Sequence, residues 1–303
     1  MRLIFFGTGS FCLPALTALR EHVVLVVTQP DRPSGRGMKM HSSPSKQLAI
    51  EYGIPVETPE KSRSVEFVEQ LEALNADALV VASYGQILSQ RMLDSAKRGG
   101  INLHGSILPK YRGAAPIQRS IQDLELETGV TLMQMDKGMD TGDIIEIERT
   151  PIGPDETYGE LQDRLALIAA QMAVDWMPRI VTGDYTRTQQ DSDGATMAPK
   201  IEKVECALNI AAEAVREYAK FRAFSPAPGA FLQTEQGVLK ISQARLGTSS
   251  GAPGVVISTG DGCEVAFGQG SLILQEVQPE GKKRMSGRDF ANGMRLKPGS
   301  RLV

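Results

Sequence analysis

The stretch Ile101-Asn-Leu-His-Gly-Ser-Ile-Leu-Pro-Lys-Tyr-Arg-Gly-Ala-Ala-Pro116 decides how the whole chain is interpreted. Its first four residues alternate between aliphatic and polar side chains, which is the period of a half-buried strand end. That alternation places Asn102 and His104 on one face, so a carboxamide lies beside an imidazole. Glycine and proline then turn the strand into a loop that Lys110 and Arg112 make basic. The closing Ala-Ala-Pro predicts the start of a helix, because proline is tolerated in a first helical turn.

A second polar stretch runs from Gly129 to Asp143. Its first half is predicted as a strand, and its second half as a glycine-punctuated turn with Asp136, Asp140 and Asp143. The turn does not fit a calcium-binding loop, since Gly138 stands where a ligand is needed, and the chain has no zinc-type cluster of His and Cys. A carboxylate from this turn, joined to the amide and the imidazole, provides the groups that steer a proton and hold an oxyanion during acyl transfer.

Apolar strands alternate with helices through the first half of the chain. The predicted strands cover residues 2–6, 23–28, 78–81 and 100–103, and the predicted helices cover residues 13–20, 44–52 and 65–74. This alternation predicts an α/β fold with a doubly wound, mostly parallel, Rossmann-like sheet. Ligands of such sheets bind at the carboxyl ends of the strands, and Gly7, Tyr84 and His104 all fall near such ends.

A glycine turn, Gly7-Thr-Gly-Ser-Phe11, follows the first predicted strand. Such a turn between a strand and a helix can bind a phosphate, as it does in dinucleotide-binding proteins. The third glycine of that fingerprint is missing here, because Cys12 stands in its place. We therefore interpret the turn as tight packing of strand against helix and predict no nucleotide cofactor.

Two strands, at 130–135 and 144–149, flank the aspartate turn and predict a hairpin. A helix then begins at Thr157, where Glu160 completes a capping box, and ends at Gly183. The amphipathic period between these residues is carried by regularly spaced apolar side chains.

The composition of the chain changes after this helix. Residues 185–203 are polar with few large apolar side chains, which predicts a linker. Short apolar runs divided by Gly, Ser and Pro follow, and they predict a second, smaller β-barrel domain. The predicted boundaries are residues 1–184 for the first domain, 185–203 for the linker and 204–303 for the barrel.

Composition limits the possible partners. The chain has 303 residues, 41% of them hydrophobic, which allows two domains and a sizeable core. We find neither a signal-peptide pattern nor a long apolar run, so we expect a cytoplasmic protein with no membrane contact and with reduced cysteines. The formal net charge of −3 means that a nucleic acid would need local basic patches, and the basic loop at 32–46 and the tail from Glu280 are the candidates. Nothing in the sequence demands more than a monomer.

The motifs together resemble those of the formyltransferases that use 10-formyltetrahydrofolate. The decisive residues are the series Asn102-x-His104-x-Ser106-x-Leu108-Pro109-x-x-Arg112-Gly113 and the series Asp136-x-Gly138-x-Asp140-Thr141-Gly142-Asp143. Further likeness is found at residues 6–11, 31–37, 112–118 and 279–285, from end to end of the chain. Within the family the likeness is greatest to the members that act on methionyl-tRNA.

The resemblance implies a function and a set of site residues. The expected reaction is transfer of the formyl group from 10-formyltetrahydrofolate to the amino group of methionine on initiator methionyl-tRNA, with no metal. The implied catalytic residues are Asn102, His104 and Asp140. The implied folate-binding residues are Gln86, Ile87, Leu88, Ser106, Ile107, Leu108, Pro109, Met135 and Asp136. The implied tRNA-binding residues are Arg32, Arg36, Lys39, Lys282, Lys283 and Arg284, and the implied second domain resembles an oligonucleotide-binding fold.

Several alternatives stay open at the level of sequence. Ser106 lies two residues from His104 and could be a nucleophile, although a role in the turn is the simpler interpretation. The acceptor could be another amine, such as an amino sugar, or water, in a hydrolase that releases formate. A non-catalytic RNA-binding protein is disfavoured, because it has no need of Asn102, His104 and Asp140 together.

Two segments depart from the usual pattern of the family. Ser225 and Ala227 stand where asparagine and tryptophan are common, and Leu208-Asn209 replaces a frequent aspartate–tryptophan pair. Both segments lie outside the catalytic motifs, so they bear on the packing and tRNA contacts of the second domain and leave the predicted chemistry unchanged.

Overall fold

The structure is a computed structural model that describes residues 1–34 and 39–303, without the side chains of residues 34 and 39. The chain forms two compact units. The first contains Met1–Pro116, Glu127–Pro151 and Gln162–Pro199, and the second contains Ile117–Leu126, Ile152–Leu161 and Lys200–Val303. Residues 185–199, predicted as part of a linker, therefore pack within the first unit.

The helices and strands follow one another in the order expected of an α/β unit and then a β unit. The helices are α1 (Leu13–Leu19), α2 (Pro44–Glu51), α3 (Val65–Ala73), α4 (Gln90–Leu93), α5 (Pro116–Gln122), α6 (Tyr158–Thr182), α7 (Ala214–Ala223) and α8 (Gly287–Gly293). The strands of the first unit are β1 (Leu3–Gly7), β2 (Val23–Val27), β3 (Arg32–Ser34), β4 (Lys39–His41), β5 (Val56–Glu57), β6 (Ala78–Ala82), β7 (Gly100–His104), β8 (Arg112–Gly113), β9 (Glu127–Gln134), β10 (Ile144–Pro151) and β11 (Met197–Ala198). Those of the second are β12 (Phe231–Thr234), β13 (Gly237–Leu246), β14 (Val256–Ser258), β15 (Cys263–Ala266), β16 (Ser271–Pro279) and β17 (Met285–Ser286).

The first unit is built on a seven-stranded sheet with the order β10-β9-β7-β6-β1-β2-β5. The five neighbouring strands β7, β6, β1, β2 and β5 pair in parallel. Strand β9 is antiparallel to β7, and β10 is antiparallel to β9. Strands β1 and β6 are continuous apolar runs that are buried along their whole length, as expected where both faces of a parallel sheet are covered. The predicted mostly parallel, Rossmann-like sheet is confirmed.

One face of this sheet packs on two helices. Alternate side chains of the central strands, such as Phe6 and Val81, form one buried cluster with Phe67 of α3 and Met92 of α4. Helix α3 begins after Ser64, because the hydroxyl of Ser64 caps the helix by accepting a hydrogen bond from the backbone N–H of Phe67. The sheet is therefore a rigid support for the loops that leave its strand ends.

Local signals in the sequence predicted helix α6 well. The backbone N–H of Thr157 donates to Oε2 of Glu160 over 2.8 Å, which is one half of the predicted capping box. Helix α6 follows at once, and Gly183, with a φ of 87°, comes directly after its end.

The basic loop is more ordered than the sequence indicated. Strands β3 and β4 pair with each other antiparallel, with Arg32 opposite His41. Each strand has only three residues, too few to show the alternation from which a hairpin is predicted. No strand was therefore predicted at these six residues of the basic loop.

The second unit contains a curled antiparallel sheet with the order β12-β13-β16-β15-β14, in which β17 also pairs with β16. Register shifts near Gln243 and between Val256 and Ser258 bend its strands, as bulges do. Helix α7 contributes Tyr218 and Phe221 to the core that the sheet encloses, and α8 contributes Phe290. The expected small β domain is thus a half-barrel.

Both unusual segments of the second domain can now be located. Leu208 is buried in the core of the second unit, and Asn209 accepts a hydrogen bond from the backbone N–H of Ala211 at its Oδ1. Ser225 and Ala227 precede prolines in the turn after α7. Among the described helices, none combines the length and the apolar character that crossing a membrane requires.

Candidate active site

Strand β7 carries the first two candidate catalytic residues. Asn102 and His104 are 8% and 6% exposed, and every residue of β7 is buried. The expectation of a half-buried strand end was wrong, because β7 lies inside the sheet between β6 and β9 and the aspartate turn supplies a partner to its polar side chains. The two side chains are therefore held in a site largely withdrawn from water.

The carboxylate of Asp140 joins three segments of the chain. Its Oδ1 accepts a hydrogen bond from Asn102 Nδ2 over 3.3 Å, and its Oδ2 accepts one from the backbone N–H of Gly113 over 2.9 Å. The same Oδ2 lies 3.7 Å from Nδ1 of His104. The structure therefore brings together all three of the residues that sequence singled out as catalytic.

The partner of His104 on its far side determines the tautomer of the ring. Nε2 of His104 lies 3.0 Å from the backbone carbonyl oxygen of Tyr111. A carbonyl oxygen only accepts, so Nε2 must carry a proton and donate it. Nδ1 is then the nitrogen that faces Asp140. The distance of 3.7 Å is too long for a hydrogen bond but short enough for an ion pair when the ring is charged.

The loop after β7 is held by its own polar groups. The hydroxyl of Ser106 donates to the carbonyl oxygen of Lys110 over 2.8 Å. The hydroxyl of Thr131 donates to the carbonyl oxygen of Ser106 over 2.6 Å and accepts from the backbone N–H of Leu108 over 3.1 Å. Because the Ser106 hydroxyl is directed to Lys110, these contacts support a role in the turn over a role as nucleophile.

The aspartate turn is likewise built by local contacts. Oδ1 of Asp136 accepts hydrogen bonds from the backbone N–H of Gly138 over 2.9 Å and from the hydroxyl of Thr141 over 2.8 Å. Gly142 has no room for a side chain, because a Cβ there would overlap the carbonyl oxygen of Gln134. These features shape the backbone that presents Asp140, whose φ of 53° lies in the left-handed region.

The candidate folate residues fall into three segments at the ends of strands. Gln86, Ile87 and Leu88 follow β6, residues 106–109 follow β7, and Met135 and Asp136 follow β9. Met135 packs against the buried cluster that contains Leu88, so the first and third segments contribute side chains to one apolar cluster. Ile87 is 50% exposed, which leaves an apolar side chain accessible at this edge.

Two of these candidates have side chains that already have partners. The amide oxygen of Gln86 accepts from the hydroxyl of Ser62 over 2.7 Å, and its Nε2 donates to Oε1 of Gln29 over 3.2 Å. The side chain of Ser106 is fully buried. A ligand at these positions would therefore be held by backbone groups and by the partly exposed Ile107 and Pro109.

The candidate tRNA residues lie in two places. Lys282, Lys283 and Arg284 are exposed in the turn between β16 and β17, where Arg284 Nη1 lies 3.5 Å from Glu276 Oε2. Arg32 is exposed and lies 3.4 Å from Glu60. Arg36 and the side chain of Lys39 lie outside the described residues. The assignment of all six residues stays a prediction.

The cysteine thiols are buried and separate. Burial raises the pKa of the Cys12 thiol to about 12 and that of the Cys263 thiol to about 11. Burial also raises the pKa of Cys206. Since the thiolate is the reactive form, these shifts support a structural role for all three cysteines.

Sequence reasoning missed Gln190 and Thr196. Gln190 is 8% exposed, and its Nε2 donates to the carbonyl oxygen of Asp140 over 2.9 Å. The hydroxyl of Thr196 accepts from the backbone N–H of Tyr111 over 2.9 Å. Both residues lie in the polar stretch predicted as a linker, where composition distinguishes no residue from its neighbours.

Comparison with known proteins identifies the family. Residues 1–177 match the family described as Formyl transferase, and residues 200–295 match Formyl transferase, C-terminal domain. The chain is 43% identical to a methionyl-tRNA formyltransferase of Myxococcus xanthus, over 99% of this chain and 97% of the relative. It is 46% identical to one of Hydrogenovibrio crunogenus, over 98% of this chain and 97% of the relative.

The chain belongs to the methionyl-tRNA formyltransferase family. It is accordingly an enzyme of the formyl transferase type, and the resemblance found in the sequence is confirmed.

Solved structures of other proteins share the fold of this methionyl-tRNA formyltransferase family member. An N-formyltransferase from Helicobacter canadensis, in complex with folinic acid and dTDP-3-aminofucose, superposes with a TM-score of 0.69 at 19% identity, covering 90% of this chain and 98% of that one. HypX from Aquifex aeolicus, in complex with tetrahydrofolic acid, superposes with a TM-score of 0.67 at 15% identity, covering 96% of this chain and 47% of that one. At these identities the likeness establishes the fold alone.

Proposed function

We propose that this protein transfers the formyl group of 10-formyltetrahydrofolate to the amino group of methionine on initiator methionyl-tRNA, giving N-formylmethionyl-tRNA. The observation that carries the proposal is the identity of 43% to a methionyl-tRNA formyltransferase over 99% of the chain. The convergence of Asn102, His104 and Asp140 supplies the chemistry. The enzyme is further proposed to work as a monomer in the cytoplasm.

The reaction exchanges one carbon–nitrogen bond for another. The methionine amine forms a bond to the formyl carbon, the bond from that carbon to N10 of the folate breaks, the amine loses a proton and N10 gains one. No covalent intermediate with the enzyme is required, because the donor is already an activated acyl group. The residues of the site must therefore hold a developing oxyanion and move one proton.

Asn102 is suited to hold the oxyanion. Its Nδ2 carries two protons, and one of them is donated in a hydrogen bond of 3.3 Å to Oδ1 of Asp140. The other proton is left for the oxygen of the formyl group. Because the side chain is buried and its orientation is fixed by Asp140, the donor needs little reorganisation when charge develops.

His104 is suited to take up and release the proton. Its Nε2 is engaged by the carbonyl oxygen of Tyr111, which leaves Nδ1 for exchange. When Nδ1 is protonated the ring is a cation, and it stabilises the oxyanion electrostatically. Catalytic hydrogen bonds often tighten only when the substrate is bound, which is compatible with the distance of 3.7 Å to Asp140.

Asp140 orients both groups. Its carboxylate is fixed by the N–H of Gly113 and by Asn102, so its charge stays directed at Nδ1 of His104. A carboxylate in this position can pair with an imidazolium formed during the reaction and helps to relay protons through water. We therefore assign Asp140 as the residue that couples the oxyanion site to the proton-transfer site.

The folate is proposed to lie along the three segments that contain Gln86, Ser106 and Met135. Two proteins of the same fold were solved in complex with a folate, folinic acid in one and tetrahydrofolic acid in the other. The partly exposed apolar side chains of Ile87 and Met135 are suited to contact a flat ring, and the backbone groups of these segments are suited to its polar edge.

The tRNA is proposed to contact the exposed cations of both units. The turn with Lys282, Lys283 and Arg284 projects from the half-barrel, and Arg32 lies on strand β3 of the basic loop. Such side chains neutralise phosphates and position an RNA without specifying its sequence.

The test is transfer of labelled formyl from 10-formyltetrahydrofolate to methionine-charged initiator tRNA by the full chain. The wild type should label the tRNA, and His104→Ala should lower kcat by roughly 10³-fold, because it removes proton transfer and a charge near the oxyanion. The variant His22→Ala, which changes a partly exposed histidine remote in sequence from the motifs, should keep the wild-type rate.

Other outcomes point elsewhere. Labelled formate without labelled tRNA would indicate a hydrolase, and label on an amino sugar but not on tRNA would indicate a different acceptor. Full activity in a folded His104→Ala protein would contradict the role assigned to His104.

A further inference from the structure

The segment from residue 188 to residue 198, which we call the strap, holds together the loops of the site. Its first residue pairs with β10, where Thr188 and Ile144 exchange two backbone hydrogen bonds of 2.8 Å. Its last residues form β11, which pairs in parallel with Arg112 and Gly113 of β8. The regions matched to the family, residues 1–177 and 200–295, both leave the strap out.

Gln190 lies near the beginning of the strap, and its amide makes four hydrogen bonds. Its Nε2 donates to the carbonyl oxygens of Asp140, over 2.9 Å, and Gly142, over 2.7 Å. Its Oε1 accepts from Arg112, over 3.1 Å from Nε and 2.7 Å from Nη2. Both protons and both lone pairs of the buried amide are thereby used.

These contacts act on the same residues that fix the catalytic carboxylate. Gln190 binds the backbone of Asp140, whose side chain approaches His104. Gln190 also binds Arg112, and the next residue, Gly113, donates its backbone N–H to the carboxylate of Asp140. Asp140 has a φ of 53°, in a region that residues other than glycine occupy only when their surroundings hold them there. The amide of Gln190 is part of what holds it.

We propose that Gln190 is a positioning residue for formyl transfer: it sets the direction of the Asp140 carboxylate toward His104 by binding the aspartate turn to Arg112. This inference rests on the proposed function. Gln190 touches no reacting atom and acts through Asp140. A misplacement of about 1 Å at a reacting group lowers a rate by about 100-fold, so the effect on kcat should be large.

Three variants of the full chain test the proposal. Gln190→Met keeps the length of the side chain and removes all four hydrogen bonds. Gln190→Glu keeps the acceptor for Arg112 but removes both donors to the aspartate turn. Gln189→Met is the matched control, because Gln189 is the adjacent glutamine and is exposed.

The measurements are kcat, KM for each substrate, thermal unfolding, and hydrogen exchange of the peptides that contain Gly113 and Asp140. We expect about a 100-fold loss of kcat in both Gln190 variants, with each KM within about threefold of wild type, and faster exchange in both peptides. Gln189→Met should match the wild type in every measurement.

Wild-type kcat in folded Gln190→Glu would overturn the proposal, since the donors to the turn would then be dispensable. It would also be overturned if the loss of kcat in Gln190→Met vanished after correction for the folded fraction. If the wild type fails to formylate methionyl-tRNA, the proposed function is wrong. Unchanged exchange in the two peptides would then still refute the positioning role, and faster exchange would support it.

Discussion

Each compact unit contains a polar cluster built around two buried side chains, and the two clusters use their protons differently. The first-unit cluster consists of Asn102, His104 and Asp140, and the second-unit cluster consists of Asp155, Tyr218 and Arg222. Both combine a carboxylate with a group of the opposite charge or with a proton donor. Burial and charge alone therefore do not distinguish a catalytic cluster from a structural one.

The difference lies in which protons have a fixed partner. In the second-unit cluster the hydroxyl of Tyr218 donates to Asp155 over 2.8 Å, and Nη1 of Arg222 donates to the carbonyl oxygen of Gly153 over 3.1 Å. Burial raises the pKa of Tyr218 and lowers that of Arg222, but neither group comes near exchange at neutral pH. In the first-unit cluster Nδ1 of His104 is 3.7 Å from Asp140 and keeps its capacity to exchange a proton. A cluster suited to catalysis therefore has one group that the fold orients but whose exchangeable proton has no fixed hydrogen-bond partner.

The substitution Asp140→Asn should break the first-unit cluster with the largest effect. The amide oxygen of asparagine can still accept from the N–H of Gly113, so the turn should fold. The negative charge beside Nδ1 of His104 is lost, so an imidazolium formed there has no ion-pair partner. We expect kcat for formyl transfer to fall by roughly 10³-fold with little change in KM. The measurement is steady-state kinetics beside thermal unfolding of the same protein.

Asp143→Asn is the control within the same turn. Its carboxylate is partly exposed and lies 4.0 Å from Arg187, a surface contact worth little. A similar loss of kcat in both variants would mean that the net charge of the turn matters rather than the position of Asp140. The comparison of the clusters would then lose its basis.

The substitution Arg222→Met should show the opposite behaviour. It removes hydrogen bonds to the carbonyl oxygens of Gly153 and Glu156 and should lower the free energy of unfolding by about 2 kcal/mol. Arg222 takes no part in the chemistry, so kcat of the folded protein should equal that of the wild type. Denaturant unfolding with parallel kinetics measures both quantities.

Arg216→Met, on the exposed side of the same helix, is the matched control and should change the free energy of unfolding by less than about 0.5 kcal/mol. A fall in kcat for folded Arg222→Met would contradict the division into a structural and a catalytic cluster. A gain in stability would mean that the buried guanidinium, whose Nε has no partner among the described residues, costs more than its hydrogen bonds contribute.

The sequence predicted the framework of the first cluster because its signals are local. Apolar runs such as those of β1 and β6 identify buried strands, and the alternation at 101–104 placed Asn102 and His104 on one side. The meeting of these residues with Asp140, 36 positions beyond His104, is not encoded by spacing, and it was expected only from the resemblance to a family.

The rest could not be predicted, for physical reasons. Gln190 binds carbonyl oxygens about fifty residues earlier in the chain, and a backbone carbonyl leaves no mark on composition or periodicity. Strands β3 and β4 are too short to show alternation. The second-unit cluster depends on Arg222 meeting the turn at 153–156, which is a tertiary contact between segments that look like ordinary surface sequence.

The exposed cations of the second unit belong to neither polar cluster, so they can be tested separately from both. Lys282, Lys283 and Arg284 are exposed, so replacing all three with glutamine should leave stability and kcat unchanged. Because they are proposed to contact phosphates, KM for the tRNA should rise about tenfold at low salt, and the dependence of KM on salt should become weaker. The variant Lys282→Arg/Lys283→Arg keeps the charge and should retain the wild-type KM. An unchanged KM in the glutamine variant would show that this turn does not bind the tRNA. A loss of kcat in that variant would show that the turn affects the chemical step, and it would contradict the assignment of the chemistry to the first-unit cluster.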